Sequence, residues 1–506
     1  MPRVILPFRA FFFFFLFFYL AFWYTITDYV IEQKFYQKES FINNFSKKEG
    51  THMEHVTIRD IVKATGGRLL CGNPDMEITG FSIDSRQGQP DHLFVPIIGE
   101  KVDAHRFIEG ALKLNGATLT SQHDEMDSDK PWIRVEDTVK AMQQIGTAYR
   151  DRLNLPVVAV TGSVGKTTTR EMIAWALASE KQVFQTIGNQ NSQIGVPLTL
   201  SRMTKEDDIA VLEIGMSERG QIETLTNMIR PNIAVVTIIG VCHIEYLKSQ
   251  ENICLEKMDI VKGLQEGGKV FLNGDDPFLA PYAGKLDFDT YFYGMGENCD
   301  YRAVNVTQDA DGTSFDLVIK GGETYPVRLS VLGEHNVKNA LAALGICHQS
   351  GVSIEAAAAA LTSFHGQRQK IVKYNGYTLI EDAYNASPDS MKAALKVLAS
   401  MEGRKIAVLA DMLELGEKEK DYHKEVGTFL GKTAVNELYC VGPLSEYIME
   451  GTKEVNPDCV TQHFASNEEL AAFLEGHLTE GDKVLIKGSN GMKLSEVISR
   501  IDGTAE

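Results

Sequence analysis

Short apolar runs alternate with stretches of helical periodicity along most of the chain. In the middle of the sequence, β-branched residues 157–160 lead into a glycine-rich turn and then into a helical stretch over residues 167–178. This order is typical of parallel strands joined by helices. It predicts a mainly parallel, doubly wound sheet over residues 153–363. The later strands predicted in this sheet are residues 209–212, 233–236 and 270–272.

The flanking regions show the same alternation on a smaller scale. Between residues 56 and 152, apolar runs such as 93–98 alternate with amphipathic stretches such as 107–112, which predicts a small α/β domain. After residue 363, helical stretches separate four more apolar runs, so a further α/β sheet is predicted there. A chain of 506 residues is too long for one ordinary core. We therefore predict an α/β protein with domains at 53–152, 153–363 and 364–506.

Residues 1–52 form a leader that does not fit this pattern. Residues 10–24 are an unbroken apolar run rich in Phe, preceded by Arg3 and Arg9. The run is shorter than the roughly 18 to 20 apolar residues of a spanning helix, and no small-x-small cleavage site follows it. We favour a start codon assigned too far upstream, with Met53 just before the first well-patterned segment. A short membrane-associated leader is the alternative, and we expect no stable membrane association unless the leader is retained.

Composition limits the classes of function. The apolar content of 44% and charged content of 23% are those of a globular protein. A net charge of −18 with no basic run argues against nucleic-acid binding. The seven cysteines are scattered without a C-x-x-C pair, so zinc or redox chemistry is not expected. This pattern favours a protein of the reducing cytoplasm.

The strongest chemical signal is the glycine-rich loop between the strand at 157–160 and the helix at 167–178. Small residues at such a turn let backbone N–H groups point at a phosphate, while Lys166 supplies positive charge. Thr167 or Thr168 then offers a hydroxyl to magnesium, so ATP and Mg²⁺ are the expected cofactors. Val160 stands where a standard phosphate loop has its first glycine, and an ordinary strand-to-helix turn is the alternative. The loop reads Thr161-Gly162-Ser163-Val164-Gly165-Lys166-Thr167-Thr168.

This loop without its first glycine resembles that of the Mur ligases and folylpolyglutamate synthetases. Further segments resemble Mur ligase motifs in the same order, so the resemblance covers nearly everything after the leader. It implies a three-domain architecture, with a central phosphate-loop sheet and a C-terminal Rossmann-like α/β domain, in a monomeric, ATP-dependent amide-forming ligase. These segments are 188–197, 212–216, His243 with Glu245, 333–339, 381–388, 411–416 and 487–489.

The resemblance also implies roles for individual residues. Glu213 ends a predicted strand, where open α/β sheets place their ligands, and it is expected to bind magnesium. Lys257 aligns with a lysine that several Mur ligases carry as a carbamate, although an exposed helical lysine is the alternative. The implied metal ligands are Thr167, Glu213, His243 and carbamylated Lys257, and the implied catalytic residues are Lys166, Glu213, His243, Lys257 and Arg368.

The nucleotide and the acceptor substrate have their own implied contacts. Asp382 is expected to accept hydrogen bonds from the ATP ribose, Asn336 and Asn339 to face adenine, and His335 to stack nearby. Arg368 is expected to reach the γ-phosphate across a domain interface. Residues 53–152 resemble a domain that binds a uridine nucleotide in this family, so Asp84, Ser85 and Arg86 are expected to bind a uridine-linked substrate there. The other residues expected to bind substrate are Asn191, Tyr384 and Asn385.

The last three motifs are most similar to the branch of the family that joins D-alanyl-D-alanine to UDP-N-acetylmuramoyl-tripeptide for peptidoglycan synthesis. The chain departs from that branch at Asp91, Ala104, Ala410 and Asn490, and no ligand contact is assigned to these four residues. The implied reaction passes through an acyl phosphate of the tripeptide. Three alternatives remain: a folylpolyglutamate-type ligase, against which residues 56–152 argue, a nucleotide-binding protein that has lost its chemistry, and a transport or motor ATPase. A transport or motor ATPase would hydrolyse ATP without an acceptor.

Overall fold

The computed structural model describes residues 52–374 and 376–502. The predicted leader lies outside these residues, apart from His52. Within the described part of the chain, no helix combines the length and apolar character that crossing a membrane requires.

The N-terminal region is a five-stranded sheet in the order β2-β7-β6-β5-β4, beside a two-stranded ribbon of β1 and β3. Helices α1 and α3 pack on the sheet through Ile58, Ile61 and Ile145. The carboxylate of Asp137 accepts hydrogen bonds from the first amides of α3, which fixes where that long helix begins. The elements are β1 (Val56–Thr57), α1 (Ile58–Thr65), β2 (Arg68–Cys71), β3 (Glu77–Ile78), β4 (Gly80–Ser82), β5 (His92–Phe94), α2 (Ile108–Ala111), β6 (Ala117–Thr120), β7 (Trp132–Arg134) and α3 (Thr138–Leu153).

The central region is a nine-stranded sheet. Its elements are β8 (Val157–Thr161), α4 (Lys166–Leu177), β9 (Val183–Gln185), α5 (Gly195–Leu200), β10 (Ile209–Glu213), α6 (Gln221–Ile229), β11 (Ile233–Val236), α7 (Ile244–Leu247), α8 (Gln250–Met258), β12 (Lys269–Asn273), β13 (Asp289–Gly294), β14 (Tyr301–Asp309), β15 (Gly312–Ile319), β16 (Thr324–Leu329), α9 (Glu334–Gln349) and α10 (Ile354–Leu361). The predicted strands and the helix after the glycine loop are confirmed. Strands β9 and β13 to β16 were not predicted.

The strand order places the glycine loop where ligands bind in open α/β sheets. The order is β16-β15-β14-β13-β12-β11-β8-β10-β9, and β9 to β13 run parallel to β8. Strand β8 lies between β10 and β11, so the connections leave it toward opposite edges of the sheet. The carboxyl ends of these three strands therefore form the crevice typical of a topological switch point.

The C-terminal region is a six-stranded sheet in the order β17-β18-β22-β19-β20-β21, parallel except for β17. Alternate strand residues enter two separate cores, one against α11 to α13 and the other against α14 and α15. A parallel sheet covered on both faces is the predicted Rossmann-like arrangement. The elements are β17 (Lys370–Tyr374), β18 (Tyr377–Asp382), α11 (Pro388–Ser400), β19 (Lys405–Ala410), α12 (Glu419–Gly431), β20 (Glu437–Val441), α13 (Ser445–Val455), β21 (Val460–Phe464), α14 (Asn467–His477), β22 (Lys483–Lys487) and α15 (Ser495–Ile501).

The three-domain α/β class is thus confirmed. The boundaries at 152/153 and 363/364 stay predictions, since domain boundaries a few residues away would fit the same helices and strands.

Candidate active site

A cleft of about 730 Å³ lies between the central and C-terminal sheets. The carboxyl ends of strands from both sheets open into it, together with the linker that joins α10 to β17. Most of the predicted site residues line this cleft. They are Ser163 to Thr168, Asn191, Glu213, His243, His335, Asn336, Asn339, Arg368, Asp382, Tyr384 and Asn385.

The glycine loop is shaped by close backbone contacts. Gly162 and Gly165 have φ angles of 149° and 86°, and a Cβ at Gly162 would overlap the hydroxyl of Thr237. That hydroxyl donates to the carbonyl of Val164 at 2.6 Å, which holds the loop against β11. No side chain caps the N-terminus of α4, so its first amides are available to an anion. The loop therefore fits a phosphate group.

Lys166 is the half-buried cation of the loop. Its Nζ donates to the carbonyls of Gly162 at 3.0 Å and Ser163 at 3.4 Å. These two carbonyls hold the ammonium group over the loop, where the phosphate of a nucleotide would lie.

Thr167 and Glu213 form the pair of oxygen ligands expected for magnesium. The Thr167 hydroxyl donates to Glu213 Oε2 at 2.9 Å, and Asn191 Nδ2 donates to Glu213 Oε1 at 2.6 Å. Two oxygens at right angles around Mg²⁺ are about 3.0 Å apart, given metal–oxygen distances of about 2.1 Å. The pair fits one magnesium ion, with Asn191 fixing the carboxylate. Among the described residues, no group of three or more His, Cys, Asp or Glu side chains is arranged to hold a metal.

His243 lies at the boundary between the two sheets. It begins α7 with a φ of 52°, and its Nδ1 lies 2.5 Å from a carboxylate oxygen of Glu414. Burial lowers the pKa of His243, against the opposing effect of Glu414. A neutral imidazole is the form that binds a metal, so the environment of His243 suits the predicted role. Glu414, from the C-terminal region, was not assigned a contact from the sequence.

Lys257 is buried in α8, not exposed on it. Only 1% of its surface is accessible, and no hydrogen bond to its ammonium group is present among the described residues. Burial lowers its pKa to about 8, with nearby Lys166 acting in the same direction. A lysine that gives up its proton this readily suits carbamylation, because the neutral amine is the form that reacts with carbon dioxide.

Asp382 and Lys487 form an ion pair where the C-terminal sheet lines the cleft. They are the last residues of β18 and β22 and lie opposite each other in the register. Lys487 is 2% exposed, and its Nζ donates to Asp382 Oδ2 at 2.7 Å and to the carbonyl of Asn385 at 2.9 Å. Lys487 thus orients the carboxylate that was predicted to bind ribose. The sequence feature that points to Lys487 is a charged residue at the end of an apolar strand.

The residues predicted near adenine are held by the protein itself. Asn339 Oδ1 accepts from Thr169, and Asn339 Nδ2 donates to Asn336 Oδ1 at 3.2 Å. Asn336 in turn donates to the carbonyl of Leu332. Burial lowers the pKa of His335, whose ring contacts Gln369. The amides therefore join α9 to α4, and their contact with adenine stays a prediction.

Arg368 lies in the linker between the two sheets. Its guanidinium stacks on the ring of Tyr384, 3.2 Å from the ring centre. Tyr384 is 43% exposed and belongs to the C-terminal region, so the stack spans the linker and that region. Ser387 caps α11 and Pro388 occupies its first turn, as expected from the sequence.

Asp84, Ser85 and Arg86 do not line the cleft. They follow β4 in the N-terminal sheet, where Arg86 bonds to the Asp84 carboxylate and holds the pKa of Asp84 at about 2. Their predicted contact with a uridine nucleotide is therefore separate from the cleft and stays a prediction.

Comparison with known proteins shows the family of this chain. Residues 160–347 match the Mur ligase middle domain, and residues 367–490 match the Mur ligase, glutamate ligase domain. The chain is 38% identical over 453 residues to UDP-N-acetylmuramoyl-tripeptide--D-alanyl-D-alanine ligase of Bacillus subtilis, covering 87% of this chain and 97% of the relative. The chain belongs to the Mur ligase family. Like other Mur ligases, it is an ATP-dependent enzyme that forms amide bonds with the help of Mg²⁺.

Solved structures show the same architecture. A crystal structure of MurF from Acinetobacter baumannii superposes with a TM-score of 0.83 at 28% identity, covering 89% of this chain and 99% of that one. MurF ligase from Thermotoga maritima in complex with ADP gives a TM-score of 0.76 at 27% identity, covering 84% and 97%. The three-domain Mur ligase fold is therefore the fold of this chain.

Proposed function

We propose that this protein joins D-alanyl-D-alanine to UDP-N-acetylmuramoyl-tripeptide, converting ATP to ADP and phosphate, and so makes the UDP-pentapeptide used for peptidoglycan. The observation that carries the proposal is one cleft that gathers Lys166, Glu213, His243, Arg368 and Asp382, in a chain 38% identical to a ligase named for this reaction. The reaction would take place in the cytoplasm, where ATP and nucleotide-linked precursors are available.

In the first step, the terminal carboxylate of the tripeptide attacks the γ-phosphorus of ATP. A carboxylate oxygen–phosphorus bond forms, the bond to the β,γ-bridging oxygen breaks, and ADP leaves. Loop amides and Lys166 offset charge on the transferring group, and Arg368 adds a bidentate donor. Magnesium, held by Thr167 and Glu213, would supply electrostatic stabilisation of the phosphates.

In the second step, the free amine of D-alanyl-D-alanine attacks the acyl phosphate and expels inorganic phosphate. No side chain needs to become covalently linked, because the cleft works by positioning and by fixed charges. Asn191, Tyr384 and Asn385 line the cleft beside the loop and the linker, and we assign them to the reacting end of the tripeptide or to the acceptor.

The uridine end of the substrate would bind to the N-terminal sheet near Asp84, Ser85 and Arg86. Folylpolyglutamate-type ligases lack such a domain, and this favours the UDP-linked substrate. Carbamylation of Lys257 would replace a buried amine by a carboxylate and so provide a further metal ligand beside His243.

Purified protein, ATP, Mg²⁺, UDP-tripeptide and D-alanyl-D-alanine should together yield ADP and a product with the mass of the UDP-pentapeptide. Omitting the UDP-tripeptide should stop ADP formation. Omitting D-alanyl-D-alanine should limit it to about one ADP for each enzyme molecule, because ADP forms in the first step. ATP consumption without the pentapeptide would overturn the substrate assignment, and acceptor-independent hydrolysis would point to another class of ATPase. ATP binding without any turnover would indicate a protein that has lost its chemistry.

A further inference from the structure

Two adjacent charged residues, Arg170 and Glu171, are buried in α4 directly behind the glycine loop. Arg170 is 1% exposed and Glu171 is 7% exposed, and they bond to each other at 3.0 Å. Charged residues of these types are almost never so buried unless they are paired. The reaction described above does not use either of them.

Arg170 contacts the surroundings of the magnesium ligand. Its Nη1 donates to the carbonyls of Thr186 at 2.8 Å and Gly188 at 3.2 Å, and lies 3.8 Å from Glu213 Oε2. The Thr186 hydroxyl accepts a hydrogen bond from the Glu213 amide at 2.9 Å. Arg170 therefore positions Glu213 in two ways. It attracts the carboxylate by charge, and it binds the carbonyl of Thr186, whose hydroxyl accepts from the Glu213 amide.

Glu171 contacts the linker that carries Arg368. One carboxylate oxygen accepts from Arg170, and the other accepts from the backbone N–H of Gln367 at 3.1 Å. The linker also contains Phe364, whose ring packs edge-on against Trp175 one turn further along α4. The linker is thus tied to α4 immediately before the arginine that was predicted to reach the γ-phosphate.

A buried ion pair is poor evidence for a purely stabilising role, because removing two charges from water costs about as much as their attraction returns. Here the Nε of Arg170 also has no hydrogen-bond partner among the described atoms, so the pair is not arranged for maximum stability. Its two ends instead contact the two halves of the site, Glu213 and the Arg368 linker.

We propose that Arg170 and Glu171 form a positioning pair, which fixes the magnesium ligand Glu213 and the linker of Arg368 relative to the phosphate loop. The pair does not contact the substrates; it acts through the residues that do. This inference rests on the proposed function, because it needs Arg368 to act in phosphoryl transfer.

The test replaces the carboxylate by an amide of the same shape. In Glu171→Gln only one acceptor oxygen remains, so it can satisfy Arg170 or the Gln367 amide but not both. We expect kcat for pentapeptide formation to fall about tenfold, while KM for ATP stays within about twofold because the loop is untouched. Glu180→Gln is the matched control, since Glu180 is exposed just beyond α4 and accepts from the amide of Ser353.

A double-mutant cycle separates positioning from general destabilisation. If Glu171 acts through Arg368, Glu171→Gln should have little further effect in an Arg368→Ala background, with kcat within about twofold of that single variant. A merely structural role would reduce kcat by the same factor in both backgrounds. Arg170→Lys keeps the charge but not the fork of donors, and it should likewise lower kcat and raise the Mg²⁺ concentration required.

The inference is overturned if Glu171→Gln keeps a kcat within about twofold of wild type, or if the effects of Glu171→Gln and Arg368→Ala multiply. Should Glu171→Gln fail to fold, an amide-to-ester replacement at residue 367 removes only the N–H donor and gives the same readouts. The wild-type reaction is run alongside: absence of pentapeptide there contradicts the proposed function, whereas normal wild-type activity with an unaffected variant contradicts only the positioning pair.

Discussion

The hydroxyl of Thr167 donates to the carboxylate of Glu213 at 2.9 Å, across the carboxyl ends of two adjacent parallel strands. The two oxygens come from positions 46 residues apart in the chain. Their spacing is that of two neighbouring ligands of a magnesium ion. The glycine-rich loop and this pair of oxygens together form a site that can bind a nucleotide with its magnesium ion.

Replacing Glu213 by Gln should weaken metal binding more than nucleotide binding. The amide keeps the shape but loses the charge that Mg²⁺ prefers. We expect a fall in kcat of about 10²-fold and a rise of about tenfold in the Mg²⁺ concentration for half-maximal activity. Titrating Mg²⁺ at saturating ATP measures both. Glu223→Gln, which removes a charge from an exposed pair with Lys262, is the control and should behave as wild type; an unchanged Mg²⁺ requirement in Glu213→Gln would rule out this carboxylate as a ligand.

Replacing Lys166 by Ala should stop turnover without unfolding the protein. Among the described residues its ammonium group bonds to two loop carbonyls and no other group, so we expect the fold not to depend on it. We expect a loss in kcat of about 10³-fold, since the charge acts on the transferring phosphoryl group. Product formation and thermal unfolding are measured together, with Lys181→Ala, just beyond α4, as the control. Normal turnover in Lys166→Ala would refute the role of the loop.

Removing Lys487 should destabilise the C-terminal region. In Lys487→Met, Asp382 is left at the edge of the core without its partner, and breaking such a pair costs about 3 kcal/mol of unfolding free energy. Denaturant unfolding measures the loss. The double variant Lys487→Met with Asp382→Asn should regain much of the stability but not the affinity for ATP. If the double variant is no more stable than the single one, the pair is not the cause.

The buried Lys257 should make stability depend on pH in a defined direction. Burial lowers its pKa to about 8 from the unfolded value of 10.5, so the folded protein binds this proton more weakly than the unfolded chain. The cost of burying the charge is complete below about pH 8 and disappears as the pH rises to about 10.5. Lys257→Met lacks this cost at every pH.

We therefore compare unfolding free energies of Lys257→Met and wild type in carbon-dioxide-free buffer. The advantage of Lys257→Met should shrink by about 3 kcal/mol between pH 8 and pH 10.5. Exposed Lys285→Met should show a flat difference over the same range. A flat difference for Lys257→Met as well would mean that the amine is not buried as a cation.

Carbamylation of Lys257 has a separate test. With ¹³C-labelled bicarbonate, wild type should show a carbamate signal and Lys257→Met should not.

The strands that the sequence predicted are buried parallel strands with continuous apolar runs. Strands β14 to β16 were missed for the converse reason. Strand β14 pairs with β13 in parallel, and β15 and β16 then extend the sheet in antiparallel fashion. All three are partly exposed, so polar residues such as Arg302 and Asp316 interrupt the apolar pattern.

The site residues that the sequence predicted best are acidic residues at the ends of apolar strands. Glu213 and Asp382 each end an apolar strand, and both line the cleft. The pairings with more distant residues were not predictable. Lys487 ends an apolar strand, but it meets Asp382 only through strand register, and Glu414 meets His243 only through packing of two sheets. Arg170 and Glu171 have no distinguishing local signal, because an Arg-Glu pair on a helix normally faces solvent.

The most direct test of the central claim follows one oxygen atom. The account states that the tripeptide carboxylate, not water, receives the γ-phosphoryl group in the cleft. With UDP-tripeptide labelled with ¹⁸O in its terminal carboxylate, the released phosphate should carry one ¹⁸O atom for each pentapeptide formed, as measured by mass spectrometry or ³¹P NMR. Unlabelled phosphate accompanied by pentapeptide would contradict an acyl phosphate, and with it the proposed use of the loop, Glu213 and Arg368.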